Sequence, residues 1–306
     1  LQGVSDLIAG HELRLLPAEA AEAEVEAALG DEVGVLVLTH VDFRTARLWD
    51  IARLTEAAHR AGALVVWDLS HTVGAMPVQL DAVQADFAVG CTYKYLNAGP
   101  GAPGFLYVAA RHQAAARQPL TAWLGHARPF AFETGWEPAP DIRQFLTGTP
   151  QVLGMATLAG ALEVFDRVSL AQIREKSLAL SELFIRLVEA RCAGLGPTLE
   201  SPREPARRRS QVAFGHDHAD RADIYARYKH TLRAALKGAD LPGGNRIYPA
   251  AGDLADRIWQ ATFSVAGGAR AGADGDGDLR SGQVHTAARA QDALALQGFD
   301  AGIGQE

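Results

Sequence analysis

Two short stretches of this 306-residue chain carry side chains that could do chemistry together: Asp68-Leu69-Ser70-His71 and Thr92-Tyr93-Lys94-Tyr95-Leu96-Asn97. A lysine amine forms a Schiff base with an aldehyde cofactor. A carboxylate beside a pyridine nitrogen keeps that ring protonated, so the ring can accept electrons. Taken alone, Asp68 and Lys94 read more readily as an ion pair at a sheet edge, since short motifs often mislead. Their neighbours alter the balance. Tyr93 offers a hydroxyl to a phosphate, and His71, three residues after Asp68, can lie against a cofactor ring. Residues 97–104 (NAGPGAPG) let backbone approach a ligand without side chains in the way. The set fits pyridoxal 5′-phosphate.

Such side chains must be delivered to one place by regular elements. Residues 64–67 (LVVW) form a continuous apolar run, as expected of a strand buried on both faces, and end at Asp68. Residues 87–89 form a second run that leads to Tyr93 and Lys94. Residues 34–39 (GVLVLT) form a third, ending in Thr39-His40-Val41-Asp42-Phe43-Arg44-Thr45. Thr39, at the end of its run, reads as a strand-terminal cap on local backbone. His40 and Asp42, at a strand–loop junction, are expected to face solvent, and Arg44 to be a surface or structural residue. Residues 12–16 are a short strand candidate and 17–29 a helix. Residues 48–61 have helical periodicity closed by Gly62, with His59 complementing the helix dipole. Residues 104–109 (GFLYVA) form the next strand, and Cys91 reads as a small buried hydrophobe. This strand–helix alternation predicts an α/β fold with a mostly parallel sheet covered by helices. In open α/β sheets, ligands bind outside the carboxyl ends of the strands.

Further along, residues 119–149 make a long aromatic loop that contains Trp123 and His126, and long loops in compact domains tend to be functional. Thr149 precedes Pro150 and would suit a helix N-cap. Residues 151–168 and 170–192 read as two helices, the second long and amphipathic. Arg203 and Arg207 to Arg209 form a basic cluster expected to be a solvated face, and residues 210–214 a short strand. From residue 267 the composition is rich in Gly, Ala, Asp and Gln, as in disordered segments. Asp274, Asp276 and Asp278 mimic a calcium loop, but Leu279 stands where glycine is required and His285 where glutamate is, so no metal site is expected.

Composition narrows the function classes. The chain is 48% hydrophobic and 21% charged, with a net charge of −7 and a pI of about 5.8, which argues against a general nucleic-acid binder. No run of about 18 apolar residues is present, and no secretory signal is visible. Two cysteines are too few for a disulfide framework, so a reducing cytoplasm is the expected compartment.

WDLSHTVGAMPV, then GCTYKYLNAGPG, then WLGH at 123–126 resemble the kynureninases in order and spacing. The resemblance runs from residue 1 to about 218. It implies the fold-type I architecture of pyridoxal phosphate enzymes, and hydrolysis of L-kynurenine or its 3-hydroxy analogue to anthranilate or 3-hydroxyanthranilate and L-alanine, in tryptophan catabolism and NAD biosynthesis. By resemblance Lys94 bears the cofactor and acts as general acid and base, and Asp68 holds the ring nitrogen protonated. Tyr93 binds the phosphate and relays a proton, His71 supports the ring and Thr39 contacts the cofactor. The Trp123 indole N–H faces the phosphate, and His126 lies near the substrate's aromatic ring. Thr149 reaches the phosphate from the neighbouring subunit of a homodimer. The family binds the substrate carboxylate with an arginine, for which Arg246 is the candidate by location. The domains expected are a truncated cofactor-binding domain (1–167), a partial small α+β domain (168–265) and a disordered tail (266–306). The chain begins at Leu1 in what reads as mid-domain, with a helix running into a strand. The family's N-terminal phosphate-binding Thr/Ser pair and stacking Phe have no counterpart, so a fragment is expected, with a frameshifted or chimeric end after about 218. The alternatives are another fold-type I enzyme, such as a cysteine desulfurase or an aminotransferase, or a non-catalytic fragment.

Overall fold

The computed structural model describes residue 3, residues 10–216, residue 231 and residues 233–240. The chain forms two units, residues 1–217 and 218–306, and the architecture below belongs to the first.

Four strands make the central sheet, in the order β1 (Val35–Thr39), β2 (Leu64–Asp68), β3 (Phe87–Cys91) and β4 (Gly104–Val108). β1 and β2 are parallel, with Thr39 opposite Asp68, and β2 and β3 are parallel, with Asp68 opposite Val89. β4 returns antiparallel, placing Gly104 opposite Cys91. The expected mostly parallel α/β sheet is therefore present. The register brings the carboxyl ends of β1, β2 and β3 to one edge, together with the loop 92–103 that joins β3 to β4.

Helices α1 (Glu22–Ala27) and α2 (Ile51–Arg60) precede β1 and β2. Asp50 caps α2 by accepting from the Arg53 amide at 3.0 Å, which satisfies one of the helix's orphan donors. Gly62, with φ +81°, ends it as expected. α2 turns Leu54, Thr55, Ala57 and Ala58 toward the sheet, where Leu36, Val65, Trp67 and Ala88 complete the core. Trp67 is fully buried, and its indole N–H donates to the Thr55 hydroxyl at 3.0 Å, so its one polar atom is satisfied.

The opposite sheet face departs from expectation. The run 64–67 is not buried on both sides: its burial alternates, and Leu64 with Val35, Val37, Val89 and Leu106 leaves an apolar row partly exposed. The period-2 geometry of a strand sends alternate side chains to opposite faces, and among the described residues only the α2 face is packed. Residues 12–16, expected to be a strand, form no regular element and join no sheet. Residues 1–9, read as a helix, lie outside the described residues apart from residue 3.

A four-residue helix, α3 (Ala110–Gln113), follows β4, and the aromatic loop carries two 3-10 turns, Trp123–Gly125 and Ile142–Phe145. α4 (Val152–Leu162) and α5 (Leu170–Cys192) come next, the latter ending as the periodicity predicts. Ser169 and Gln172 form a reciprocal capping box at the start of α5. A short antiparallel pair, β5 (Pro197–Leu199) and β6 (Phe214–His216), closes the unit. The strand expected at 210–214 thus begins only at Phe214. Between these strands, residues 207–209 run against the loop after β1: Leu48 N–H donates to the Arg207 carbonyl and Arg209 N–H to the Ala46 carbonyl, both at 2.9 Å.

Candidate active site

Thr39, Asp68 and Lys94 occupy the same edge because β1, β2 and β3 all end there. Lys94 Nζ lies 3.0 Å from His71 Nε2, so the two stretches singled out by their chemistry meet side chain to side chain. Lys94 Nζ also lies 5.5 Å from the centre of the Tyr93 ring. The Asp68 carboxylate accepts from the Ser70 amide at 2.7 Å, a bond that orients it at the end of β2.

Three features of the turn chemistry accompany this meeting. Gly74, with φ +80°, lets the loop after His71 press against the backbone of Tyr95; a Cβ there would stand 2.3 Å from the Tyr95 carbonyl oxygen. Thr92 Oγ1 donates to the Pro103 carbonyl at 2.6 Å and pins the two ends of the loop 92–103 together. The Lys94 carbonyl accepts from the Asn97 amide at 3.1 Å, with Asn97 itself in the left-handed region at φ +62°.

The electrostatics favour a neutral His71. Burial comes first, then the positive charges of Lys94 and Arg209, and together they push its pKa below the usual imidazole value; Asp68 opposes them. A neutral imidazole can accept a hydrogen bond from the Lys94 amino group.

Behind this pair lies a buried layer that the sequence places elsewhere. His40 and Asp42, expected to face solvent, are buried at 5% and 7% exposure. Each is inside because it has a partner: His40 Nδ1 lies 3.0 Å from Thr72 Oγ1, and Asp42 binds the Arg44 side chain and amide. Burial, then Arg209 and Arg174, push the His40 pKa down to about 4. Arg208 and Arg209, expected to be a solvated face, are fully buried. The backbone pairing with the loop after β1 pulls them in, and the Arg209 guanidinium stacks 3.9 Å over the Tyr95 ring. Tyr95, Gln211 and Phe43 form a chain that holds this layer to the edge: Tyr95 OH donates to Gln211 Oε1 at 3.1 Å, and Gln211 Nε2 donates to the Phe43 carbonyl at 2.7 Å. Gly74 and Gln211 were not singled out from the sequence, Tyr95 and Phe43 entered only as members of their stretches with no role, and Arg209 only as part of a basic cluster expected to be solvated. Gly74 alone carried a local signal, as a glycine in a turn.

The remaining predicted positions make contacts of their own. Thr39 Oγ1 donates to the Val41 carbonyl at 2.7 Å, the local-backbone role that competed with cofactor contact. Trp123 opens a 3-10 turn with its ring edge-on to Phe130, and His126 Nδ1 accepts from the Arg128 amide. Thr149 is exposed and does not cap α4; Gln151 holds the cap position. Among the described residues, no hydrogen bond, ion pair or ring contact joins Trp123, His126 or Thr149 to Asp68, His71 or Lys94. His59, expected only to complement a helix dipole, bonds Asp86 at 2.8 Å. Arg246 and the rejected calcium loop lie outside the described residues. No group of His, Cys, Asp and Glu able to hold a metal occurs among the described residues.

An amine, an imidazole and a carboxylate at one sheet edge could hold an aldehyde-bearing aromatic ligand, with the carboxylate on its ring nitrogen. Comparison with known proteins identifies the lineage of this edge. The family model described as "Aminotransferase class-V" matches residues 10–235, about three quarters of the chain. The chain belongs to the class-V aminotransferase family. Within that family it is similar to curated kynureninases. One, from Burkholderia mallei, is 46% identical over 215 residues, covering 70% of this chain and 51% of that protein. Another, from Deinococcus radiodurans, is 47% identical over 218 residues, covering 71% and 52%. The chain therefore spans about half the length of the curated relatives it matches. Among solved structures, a cysteine desulfurase from Thermococcus onnurineus superposes with a TM-score of 0.56 at 20% identity, covering 68% of this chain and 50% of that one. An alanine–glyoxylate aminotransferase from Nostoc gives 0.53 at 18%, covering 78% and 63%. At these identities the likeness establishes the shared fold of this class-V chain.

Proposed function

We propose that this chain carries the site of a kynureninase, which hydrolyses L-kynurenine or its 3-hydroxy form to anthranilate or 3-hydroxyanthranilate and L-alanine, with pyridoxal 5′-phosphate as cofactor. The observation that carries the reading is the direct Lys94–His71 pair, set beside Asp68 at the carboxyl edge of the sheet. The 46–47% identity to curated kynureninases directs it to this reaction within the class-V family. The residues present fit the cofactor: a lysine amine for its aldehyde, a carboxylate for its ring nitrogen and an imidazole for its ring face. Thr39 would contact it, and Tyr93, Trp123 and, from a second subunit, Thr149 would hold its phosphate. When bound, the cofactor supplies a sink for the electrons released at the substrate's Cα and from the broken Cβ–Cγ bond.

The chain's own residues then have defined tasks. Lys94 takes and returns the Cα proton. His71 accepts a hydrogen bond from Lys94 and so fixes where that proton transfer takes place. Asp68, oriented by the Ser70 amide, holds a proton on the ring nitrogen. Tyr93 binds the phosphate and relays a proton, His126 faces the substrate's aryl ring and Arg246 is assigned to its carboxylate. We extend the reading to a homodimer in the cytoplasm, acting in tryptophan catabolism. Its domains would be a cofactor-binding one over 1–167 and a smaller one over 168–265. Among the described residues, no helix is long and apolar enough to cross a membrane.

The test is borohydride reduction of the purified chain with pyridoxal phosphate, mass mapping of the label, and a fluorescence assay for anthranilate after L-kynurenine is added. Label on Lys94 with anthranilate release is expected. Label on Lys94 with sulfide release from cysteine, and no anthranilate, would replace the reading with a desulfurase. Absence of label would show that these residues do not suffice to hold the cofactor.

A further inference from the structure

Six buried side-chain nitrogens without a hydrogen-bond partner fall on four arginines that lie together: Arg47 Nε, Arg174 Nη1, Arg208 Nε, and Nε, Nη1 and Nη2 of Arg209. Most of these guanidiniums are partly satisfied. Arg208 donates to the Pro202 and Arg203 carbonyls and lies 3.4 Å from the Glu182 carboxylate. Arg47 donates to the Ala20 carbonyl, and Arg174 to the Pro205 and Arg208 carbonyls. Arg209 is different. It is 0% exposed, and all three of its nitrogens lack an acceptor. No ion pair with a carboxylate reaches Arg209 or Arg174 among the described residues.

An arginine does not shed its charge readily, and burying it unpaired is strongly unfavourable. The surroundings of Arg209 worsen the position. Among the described residues its neighbours of ionisable type are Tyr95, Arg174, His40 and His71, none of them a carboxylate. The Tyr95 ring covers one face of the guanidinium at 3.9 Å. Stacking on a face leaves the N–H edges free for acceptors in the guanidinium plane, the geometry in which arginine grips a carboxylate or an oxyanion with two parallel bonds.

We propose that Arg209, backed by Arg174, forms a buried anion site beneath the Lys94–His71 pair that takes a carboxylate or a small oxyanion. The site touches the catalytic edge through Tyr95, which follows Lys94 in the chain and whose ring meets His71 edge-on with centroids 6.5 Å apart. An anion held there offsets the charge facing His40 and His71. The proposal stands on the arginine geometry alone and does not depend on the kynureninase reading.

The test is thermal unfolding of the purified full chain, without cofactor or substrate, in low-salt buffer titrated with sodium acetate or sodium sulfate. A ligand that binds only the folded state raises Tm along a saturating curve, whereas general salt exclusion raises it linearly. The expected result is a saturable rise of roughly 3 °C or more, lost in R209M and reduced in R174M, and retained in R60Q, which removes an exposed arginine on α2. Saturation by acetate alone would mark a carboxylate site, and by sulfate alone an inorganic oxyanion site. A purely linear response of the unaltered chain to both salts overturns the proposal, whether or not R209M folds. A saturable response of equal size in R209M does so too.

Discussion

Two buried side chains make the stability of this chain depend on pH in separate windows. His40 is held near pKa 4 by burial and by Arg209 and Arg174, against about 6.5 when exposed. A histidine whose folded pKa is depressed binds its proton more readily unfolded, so stability is complete above pH 6.5 and declines as pH falls toward 4. The difference is worth about 3 kcal/mol. Asp86 behaves in the acid range. Burial alone would raise its pKa, but bonds from His59, His112, the Val65 amide and Arg111 outweigh it and leave the pKa at about 2, against 3.8. Its contribution is complete above pH 3.8 and is lost as pH falls through 2. Urea unfolding at a series of pH values should show a decline below pH 6.5 that His40→Gln reduces, leaving the share of His71, whose pKa is also depressed, and a second decline below 3.8 that it leaves in place. A profile that His40→Gln does not change would mean that His40 is not the group titrating in the upper window.

At the scale of elements, the edge that carries the candidate site is built by two loops that approach more closely than side chains allow. Gly74 is the contact point. Its φ of +80° is unfavourable for any L-residue, and a Cβ would collide with the Tyr95 carbonyl, which is backbone and cannot swing away. Gly74→Ala is therefore expected to cost at least about 2 kcal/mol and to separate His71 from Lys94. Chemical denaturation would measure the first effect, and the yield of borohydride label on Lys94 the second. Unchanged stability together with unchanged labelling would show that the two loops meet without this close approach.

For the whole molecule, the most informative surface is apolar. The outer sheet face leaves Val35, Val37 and Val89 partly exposed, and α4 presents Val152 and Leu153 at 75% and 83% exposure. Exposed apolar surface of this extent marks an interaction face, and it supports the homodimer proposed above, which would bring a second Thr149 to the phosphate. Light scattering during size exclusion should report a dimer, and Leu153→Lys should shift it toward monomer while the circular dichroism spectrum is unchanged. A monomer at all concentrations would count against the shared site.

Much of the fold was legible in the chain because local physics produces it. Apolar runs ending in polar residues located β1, β2 and β3, and periodicity located α2 and α5, since strand and helix periods leave a direct trace in residue order. The same reasoning placed Asp68 and Lys94 at one edge, because parallel strands end on the same side. What residue order could not carry was decided by packing. His40 and Asp42 went inside because Thr72 and Arg44 meet them. Residues 208 and 209 look like a solvated basic run, yet pairing of their backbone with the loop after β1 buries both arginines and lays one across Tyr95. These contacts of the two arginines join positions more than a hundred residues apart, and no pattern in the sequence has that range. Sequence alone therefore determined which side chains could do the chemistry and which elements deliver them. Only the tertiary structure decided which charges lie unpaired beneath them, because burial is a property of the packed chain.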